Sequence, residues 1–357
     1  MANVGSDPQP RRSARPRRRI SGSRQRGLVR LFLLVVLVGW LIVLGARGLF
    51  SGGGSKSTST TGSHAAARAD RTAPPRATTS PARLPQPIHG ATAAVSGGRL
   101  LVIGGADRAD VSTDSVLSID PGSGKVATAG TLSQPLHDAA ATTLGGRTLV
   151  FGGGASTTLD AVQELSPGGS AHQIGHLPAA LSDLSAVSIG ASAYVLGGFD
   201  GQQPSAAVYR TSDGRSFTTA GRLPTAVRYA AVVALGDRIY AFGGELASGT
   251  DTDTVQEYDT ATGRASVAGH LPESVSHASA MVLNGAIYLL GGRRSGAASD
   301  RILRFDPSRR RPVPAGNLPA PVFDAAAGTV GGVGYLAGGI GAQGTSVDSI
   351  ARLSEVP

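Results

Sequence analysis

The chain has 357 residues, with 51 Gly, 21 Pro and no Cys, so disulfides, thiolate metal sites, cysteine nucleophiles and a lipoprotein anchor are all excluded. Its net charge of +9 is lopsided: residues 1–87 hold fifteen Arg and Lys against Asp7 and Asp70, a net of +13, and leave 18 basic and 22 acidic residues, a net of −4, for the remainder. A nucleic-acid binder carries its positive charge on the folded surface, whereas here the charge sits on a tail, which argues against nucleic acid as a partner.

Residues 1–27 read as a basic cytoplasmic tail; nine Arg fall within the first 30 residues. The run "LFLLVVLVGWLIVLGA", Leu31 to Ala46, carries no charge. Extended to Leu28 and Phe50, with Arg30 and Arg47 snorkelling outward, it crosses a hydrocarbon core of roughly 30 Å at about 1.5 Å per residue. The Arg excess on its N-terminal side keeps the N-terminus cytoplasmic and sends the chain beyond Phe50 outward. A cleaved signal peptide is the alternative, but Leu44 occupies the position where cleavage after Ala46 needs a small residue. Arg18-Arg19 permits a twin-arginine reading, although Ile20-Ser21-Gly22 is a poor continuation. Residues 51–76, rich in Gly, Ser, Thr and Ala, cannot bury a core and read as a disordered stalk.

From residue 77 onward the chain repeats. Six short apolar runs end on paired glycines, whose first members are Gly104, Gly152, Gly197, Gly243, Gly291 and Gly338, spaced by 48, 45, 46, 48 and 47 residues. Each unit has four parts. In the fourth they are "VRYAAVVAL", "RIYAFGG", "TVQEYDTATG" and "ASVAGHLP". Val, Ile, Tyr and Thr bounded by turn residues predict four short antiparallel strands per unit. One such sheet cannot bury both of its faces; six packed radially can. The last unit lacks a fourth strand, while "ARLP" before the first unit aligns with "AGHLP" and "AGRLP", so residues 77–83 are expected to close the sixth sheet. Pro81 is tolerable there because the fourth strand is an edge.

This pattern, "IYxxGG", then "VxxYD", then "LP", resembles the kelch repeat, in a membrane-anchored bacterial arrangement. The resemblance covers residues 77–357 and implies an all-β, six-bladed β-propeller. The family's closing-strand Trp is absent, since the only Trp is Trp40.

In kelch-like propellers the loops leading into the first strands surround one mouth of the central channel. The corresponding pairs here are His89-Gly90, His137-Asp138, Ser182-Asp183, Arg228-Tyr229, Ser276-His277 and Phe323-Asp324. The candidate ligand-binding residues are therefore His89, His137, Asp138, Asp183, Arg228, Tyr229, His277 and Asp324. Against this stands a purely local role, in which the same side chains cap strand ends and turns. A second set, Asp107, Arg108, Asp200, Gln202, Glu245, Arg293, Arg294 and Gln343, lies on loops expected to face the same mouth. "GIGAQG", Gly339 to Gly344, fails as a dinucleotide fingerprint because no helix follows. "GTDTDT", Gly249 to Thr254, matches a calcium loop in composition only.

No catalytic residue, metal or cofactor is assigned. The expected function is an extracytoplasmic, membrane-tethered module that binds or scaffolds a protein or glycan. The alternative is a carbohydrate-active enzyme similar to kelch-type sialic acid mutarotases. Copper oxidases of the kelch class need a Tyr–Cys cross-link, which a chain without Cys cannot form.

Overall fold

The computed structural model describes residues 74–166 and 168–354. The basic tail, the apolar anchor and all but the last residues of the stalk lie outside the described residues. Among the described residues every regular element is a strand, and no helix is long and apolar enough to cross a membrane.

Six four-stranded antiparallel sheets form the blades of a propeller. Blade 4 shows the plan. Its strands are Ala231–Leu235, Arg238–Phe242, Thr254–Asp259 and Arg264–His270, from the channel outward. Its register pairs Val233 with Tyr240, Tyr240 with Glu257, and Glu257 with Ser266. The inner strand starts at the channel mouth and runs away from it; the second returns and ends on the glycine pair. The third runs away again, and the outer strand comes back to the Leu-Pro turn that feeds the next blade.

The sixth blade takes its outer strand from the other end of the sequence. Arg76–Arg83 pairs with Ser349–Ser354, matching Arg76 with Ser354 and Arg83 with Ser349. A break in register between Thr79 and Arg83 accommodates Pro81, as an edge strand can. Arg83 adds an ion pair to Asp348 at 2.7 Å, and Leu84 donates its backbone N–H to the Asp348 carbonyl.

The paired glycines are explained by the contact between blades. Each second glycine donates its N–H to a backbone carbonyl of the next blade: Gly105 to Leu136, Gly153 to Leu181, Gly198 to Val227, Gly244 to Val275, Gly292 to Val322 and, closing the circle, Gly339 to Ile88. The first glycine must clear the same carbonyl. A Cβ on Gly243 would lie 2.1 Å from the Val275 oxygen, and one on Gly104 would lie 2.6 Å from that of Leu136. Both glycines hold positive φ, 61° and 103° at Gly243 and Gly244, a region closed to most L-residues.

The core lies between blades. At the interface of blades 4 and 5, Tyr240, Phe242 and Phe305 form an aromatic cluster, with Phe242 meeting Phe305 edge-on at 5.2 Å. Each such buried ring contributes about 2–3 kcal/mol from area alone. Toward the channel the inner strands are built largely of Ala, so six backbones can converge on one axis.

Candidate functional site

At the mouth, one residue per blade adopts the left-handed conformation: Gly90, Asp138, Asp183, Tyr229, His277 and Asp324, with φ between 50° and 60°. Their backbones join in a closed ring. The N–H of Asp138 donates to the Gly90 carbonyl at 2.7 Å, Asp183 to Asp138 at 2.8 Å, Tyr229 to Asp183 at 3.0 Å and His277 to Tyr229 at 3.0 Å. Asp324 donates to His277 at 2.8 Å, and Gly90 to Asp324 at 3.2 Å. Five of the six are not glycine, and left-handed backbone costs such residues about 1–2 kcal/mol each. Strain of this kind collects at binding sites when the surrounding structure over-determines it. Its result here is that five polar side chains border one cavity of about 190 Å3, walled below by alanines.

Three of these side chains are carboxyls. Burial pushes Asp138 well above the usual carboxylate range, and the charges of Asp324 and Asp183 add to this; the Tyr229 hydroxyl, donating to its Oδ2 at 3.3 Å, offsets part of the effect. Asp324 is pushed up to about 7 by burial, with Asp183 adding. Asp183 is raised by burial too, but a hydrogen bond from Ser182 and the Arg228 guanidinium oppose that. The ring therefore holds carboxyls of unlike proton affinity: Asp138 and Asp324 tend to keep a proton, while Asp183 faces a cation.

His277 is neutral. Burial lowers its pKa to about 3, with Arg293 and Arg228 adding. Its Nδ1 bonds the Ser276 hydroxyl at 2.9 Å, and its ring stacks on Tyr229 at 3.6 Å. Phe323 meets it edge-on at 5.9 Å. Burial also raises the Tyr229 hydroxyl pKa, so it remains a donor.

The outer residues of each pair behave differently. Each pairs in β-bridge or strand fashion with the residue after its own blade's glycine pair, as His89 does with Ala106, His137 with Gly154 and Arg228 with Glu245. His89 Nδ1 meets Ser346 Oγ at 2.9 Å and His137 Nδ1 meets Ser112 Oγ at 2.8 Å. Burial lowers both imidazole pKa values. Arg228 anchors a charged network. Its Nε donates to Glu245 at 2.9 Å, a second nitrogen bonds the same oxygen, and a third lies 3.5 Å from Asp183. Arg293 donates to Glu245 at 2.8 Å and to Asp251 at 3.2 Å. Burial alone would raise Glu245; its bonds to Arg228 and Arg293 more than reverse this and hold it ionised. The Arg228 guanidinium lies 4.6 Å above the Phe199 ring.

All eight residues singled out in the sequence thus lie at one mouth, seven of them with side-chain hydrogen-bonded or stacked neighbours from the same set or the loops around it. The second set divides. Glu245 and Arg293 join the charged network. Asp107 and Asp200 spend their carboxylates on backbone N–H groups of their own turns, as with Ala109 and Gln202. Arg294 turns away: it is 6 % exposed and bonds Glu273 at 3.2 Å. A two-residue strand in the hairpin places Arg293 and Arg294 on opposite faces, which spacing along a loop does not reveal. Ser112, Ser346 and Asp251 support the mouth without having been expected there; of these only Asp251 carried a signal, in the acidic loop "GTDTDT".

Among the described residues no group of three or more His, Asp or Glu is placed to hold a metal ion. What the mouth offers is carboxyls that donate and accept, a neutral aromatic stack, and a fixed ion network. A further pocket is lined without any charged residue, by alanines, Val95, Leu100 and Val187 with Thr142, Thr143, Ser188 and Thr329.

Fold and mouth together define a six-bladed β-propeller with a polar cup at one end of its channel. In blades 4 and 5, residues 226–264 and 274–311 match the Kelch motif. The solved structure described as "Structure of YjhT" superposes with a TM-score of 0.67 at 17 % identity, covering 75 % of this chain and 95 % of that one. No curated protein matches the sequence.

Proposed function

We propose that the propeller is a binding module, tethered outside a membrane by residues 28–50, that takes a protein or glycan at the acidic mouth. One observation carries this reading: the ring of left-handed residues holds Asp138 and Asp324 at the rim of an accessible cavity without bonding either to a guanidinium. Burying a carboxyl without such a partner costs stability, and a ligand that hydrogen-bonds to it recovers that cost. Sugar hydroxyls both donate and accept, so they suit carboxyls of unlike protonation beside a Tyr–His face.

The test is a thermal-shift and calorimetric screen of the full chain against monosaccharides and peptidoglycan fragments, alongside cross-linking in cells. A sugar, or a cross-linked protein, that engages the wild type should be lost in Asp138→Asn and in His277→Gln, while each variant melts within a few degrees of the wild type. Equal binding by these variants, or no ligand from either arm, rules the mouth out. The tether is tested separately: a reporter fused after Pro357 should be active only outside the cytoplasm.

The unlike carboxyls also favour a second reading, acid–base catalysis on a sugar. Asp138 would donate a proton and Asp183 would accept one, as anomer exchange requires. Saturation-transfer NMR between anomers would detect it, and exchange no faster than in buffer would dismiss it.

A further inference from the structure

Four of the six blade interfaces follow one plan; of the other two, one is filled differently and one is left open. The residue three positions ahead of each first glycine is Tyr194, Tyr240, Tyr288 and Tyr335 in blades 3 to 6, but Leu101 and Leu149 in blades 1 and 2. Each tyrosine reaches across to the next blade. Tyr194 lies 6.1 Å from Tyr258, and Tyr240 lies 5.7 Å from Phe305. Tyr288 packs with Leu336 and Leu353, and the Tyr335 hydroxyl donates to the Pro121 carbonyl at 3.3 Å. None of the four is more than 6 % exposed. Between blades 2 and 3 a different ring does the work: Phe217 meets Phe151 edge-on at 6.3 Å, and Leu149 is fully buried.

Between blades 1 and 2 no aromatic ring arrives among the described residues. Leu101 packs half-buried against the cluster that includes Leu165, and a cleft of about 620 Å3 opens. Its apolar walls are Leu101, Val116, Ala129 and Leu165, while Ser96, Ser118, Thr128, Thr148 and Ser166 supply hydroxyls and Arg99 and the Arg147–Glu164 ion pair border it. Interiors are close-packed, so a cleft of this size forgoes contacts that the other interfaces make. Aliphatic cavities of about 150 Å3 admit benzene. The pseudo-symmetry says what shape is missing: a planar ring with one hydroxyl, which in blade 6 reaches the next blade's turn.

We propose that this cleft binds a small planar aromatic molecule bearing a hydroxyl, of the phenol and p-cresol class, with its ring where a tyrosine ring sits at the other interfaces. The site is independent of the mouth.

The test titrates the full chain with phenol and p-cresol, with cyclohexanol as the non-planar control, by calorimetry and thermal shift. A dissociation constant on the order of a millimolar or tighter is expected, with a rise in Tm of about 2–4 °C near saturation. Leu101→Tyr should fill the cleft from within, weaken phenol binding at least about tenfold and leave the protein as stable or more so. If that variant folds poorly, Leu165→Phe provides the same occlusion from the facing wall. Asp138→Asn, at the mouth, should bind phenol as the wild type does. No binding at tens of millimolar, binding of cyclohexanol equal to that of phenol, or undiminished binding by the filled variants overturns the proposal.

Discussion

Blades 4 and 5 and blades 1 and 2 share a backbone and differ in almost everything hung on it. The first pair matches the Kelch motif, packs Tyr240, Phe242 and Phe305 between its sheets, and presents the Arg228–Glu245–Arg293 network at the mouth. The second pair lies outside the motif match, leaves a cleft between its sheets, and presents Gly90 and the proton-holding Asp138. Yet the glycine hydrogen bonds and the left-handed ring run through both alike. What separates these two pairs is the packing between their sheets. The closure of the ring and the placing of the mouth residues rest on backbone geometry that both halves obey.

The largest effects should treat the two halves equally. Gly243→Val and Gly104→Val each force a side chain against a neighbouring carbonyl in a left-handed conformation. Each should cost about 3 kcal/mol or more and lower Tm by about 10 °C. A tolerated substitution in blade 1 alone would show that the backbone plan is looser there. Core truncation should separate the halves. Phe305→Ala removes a ring from a filled cluster and should cost about 3–5 kcal/mol in chemical denaturation, whereas Leu165→Ala, lining an existing cleft, should cost about 2. Equal losses would mean that the cleft is filled in solution.

At the mouth the contrast should keep its direction. Glu245→Gln strips the carboxylate that two guanidiniums share and should cost about 1–3 kcal/mol. Asp138→Asn replaces a carboxyl that already resists ionisation and should change stability little or raise it. The smallest effect is in pH. A carboxyl raised in the fold, as Asp324 is to about 7, stabilises fully below its unfolded value of about 4 and loses that contribution as pH climbs to about 7. His277, lowered to about 3 from 6.5, does the opposite, since its contribution is present above pH 6.5 and is lost as pH falls. The two oppose each other between about pH 4 and 6.5, so the wild type should vary little there. His277→Gln should melt higher at pH 5 than at pH 8, with Asp138 acting in the same direction as Asp324. Asp324→Asn should lose stability on acidification relative to the wild type. Parallel profiles for all three proteins would place these groups in more ordinary surroundings than the cavity provides.

Much of this was legible because it repeats. Six glycine pairs at a near-constant spacing give the number of blades, and counting from each Leu-Pro turn, or from Leu132-Ser133 before the second unit, gives the residues at the mouth, since a four-stranded antiparallel unit returns to the same end. The interior of a repeat was less readable. Nothing in "HD", "SD", "RY" or "HA" announces that Asp138, Asp183, Tyr229 and His277 take left-handed backbone, because the ring that imposes it is assembled from residues about 45 positions apart. Arg293 and Arg294 are adjacent and alike in sequence; only the hairpin decides which one reaches the mouth. The cleft between blades 1 and 2 depends on the absence of a ring from two strands together, and Leu101 or Leu165 alone reads as an ordinary core residue.

The strand Arg76–Arg83 has a mechanical meaning. It enters the sixth blade at the end remote from the mouth and runs toward it, flush against Ser349–Ser354. Tension between something held at the mouth and the chain preceding Arg76 would act along this strand, loading its hydrogen bonds to the neighbouring strand in shear. Bonds loaded in shear share the force and fail together, whereas a strand peeled from one end gives way bond by bond. The seam of the propeller is thus oriented to bear a pull from the side on which the chain arrives.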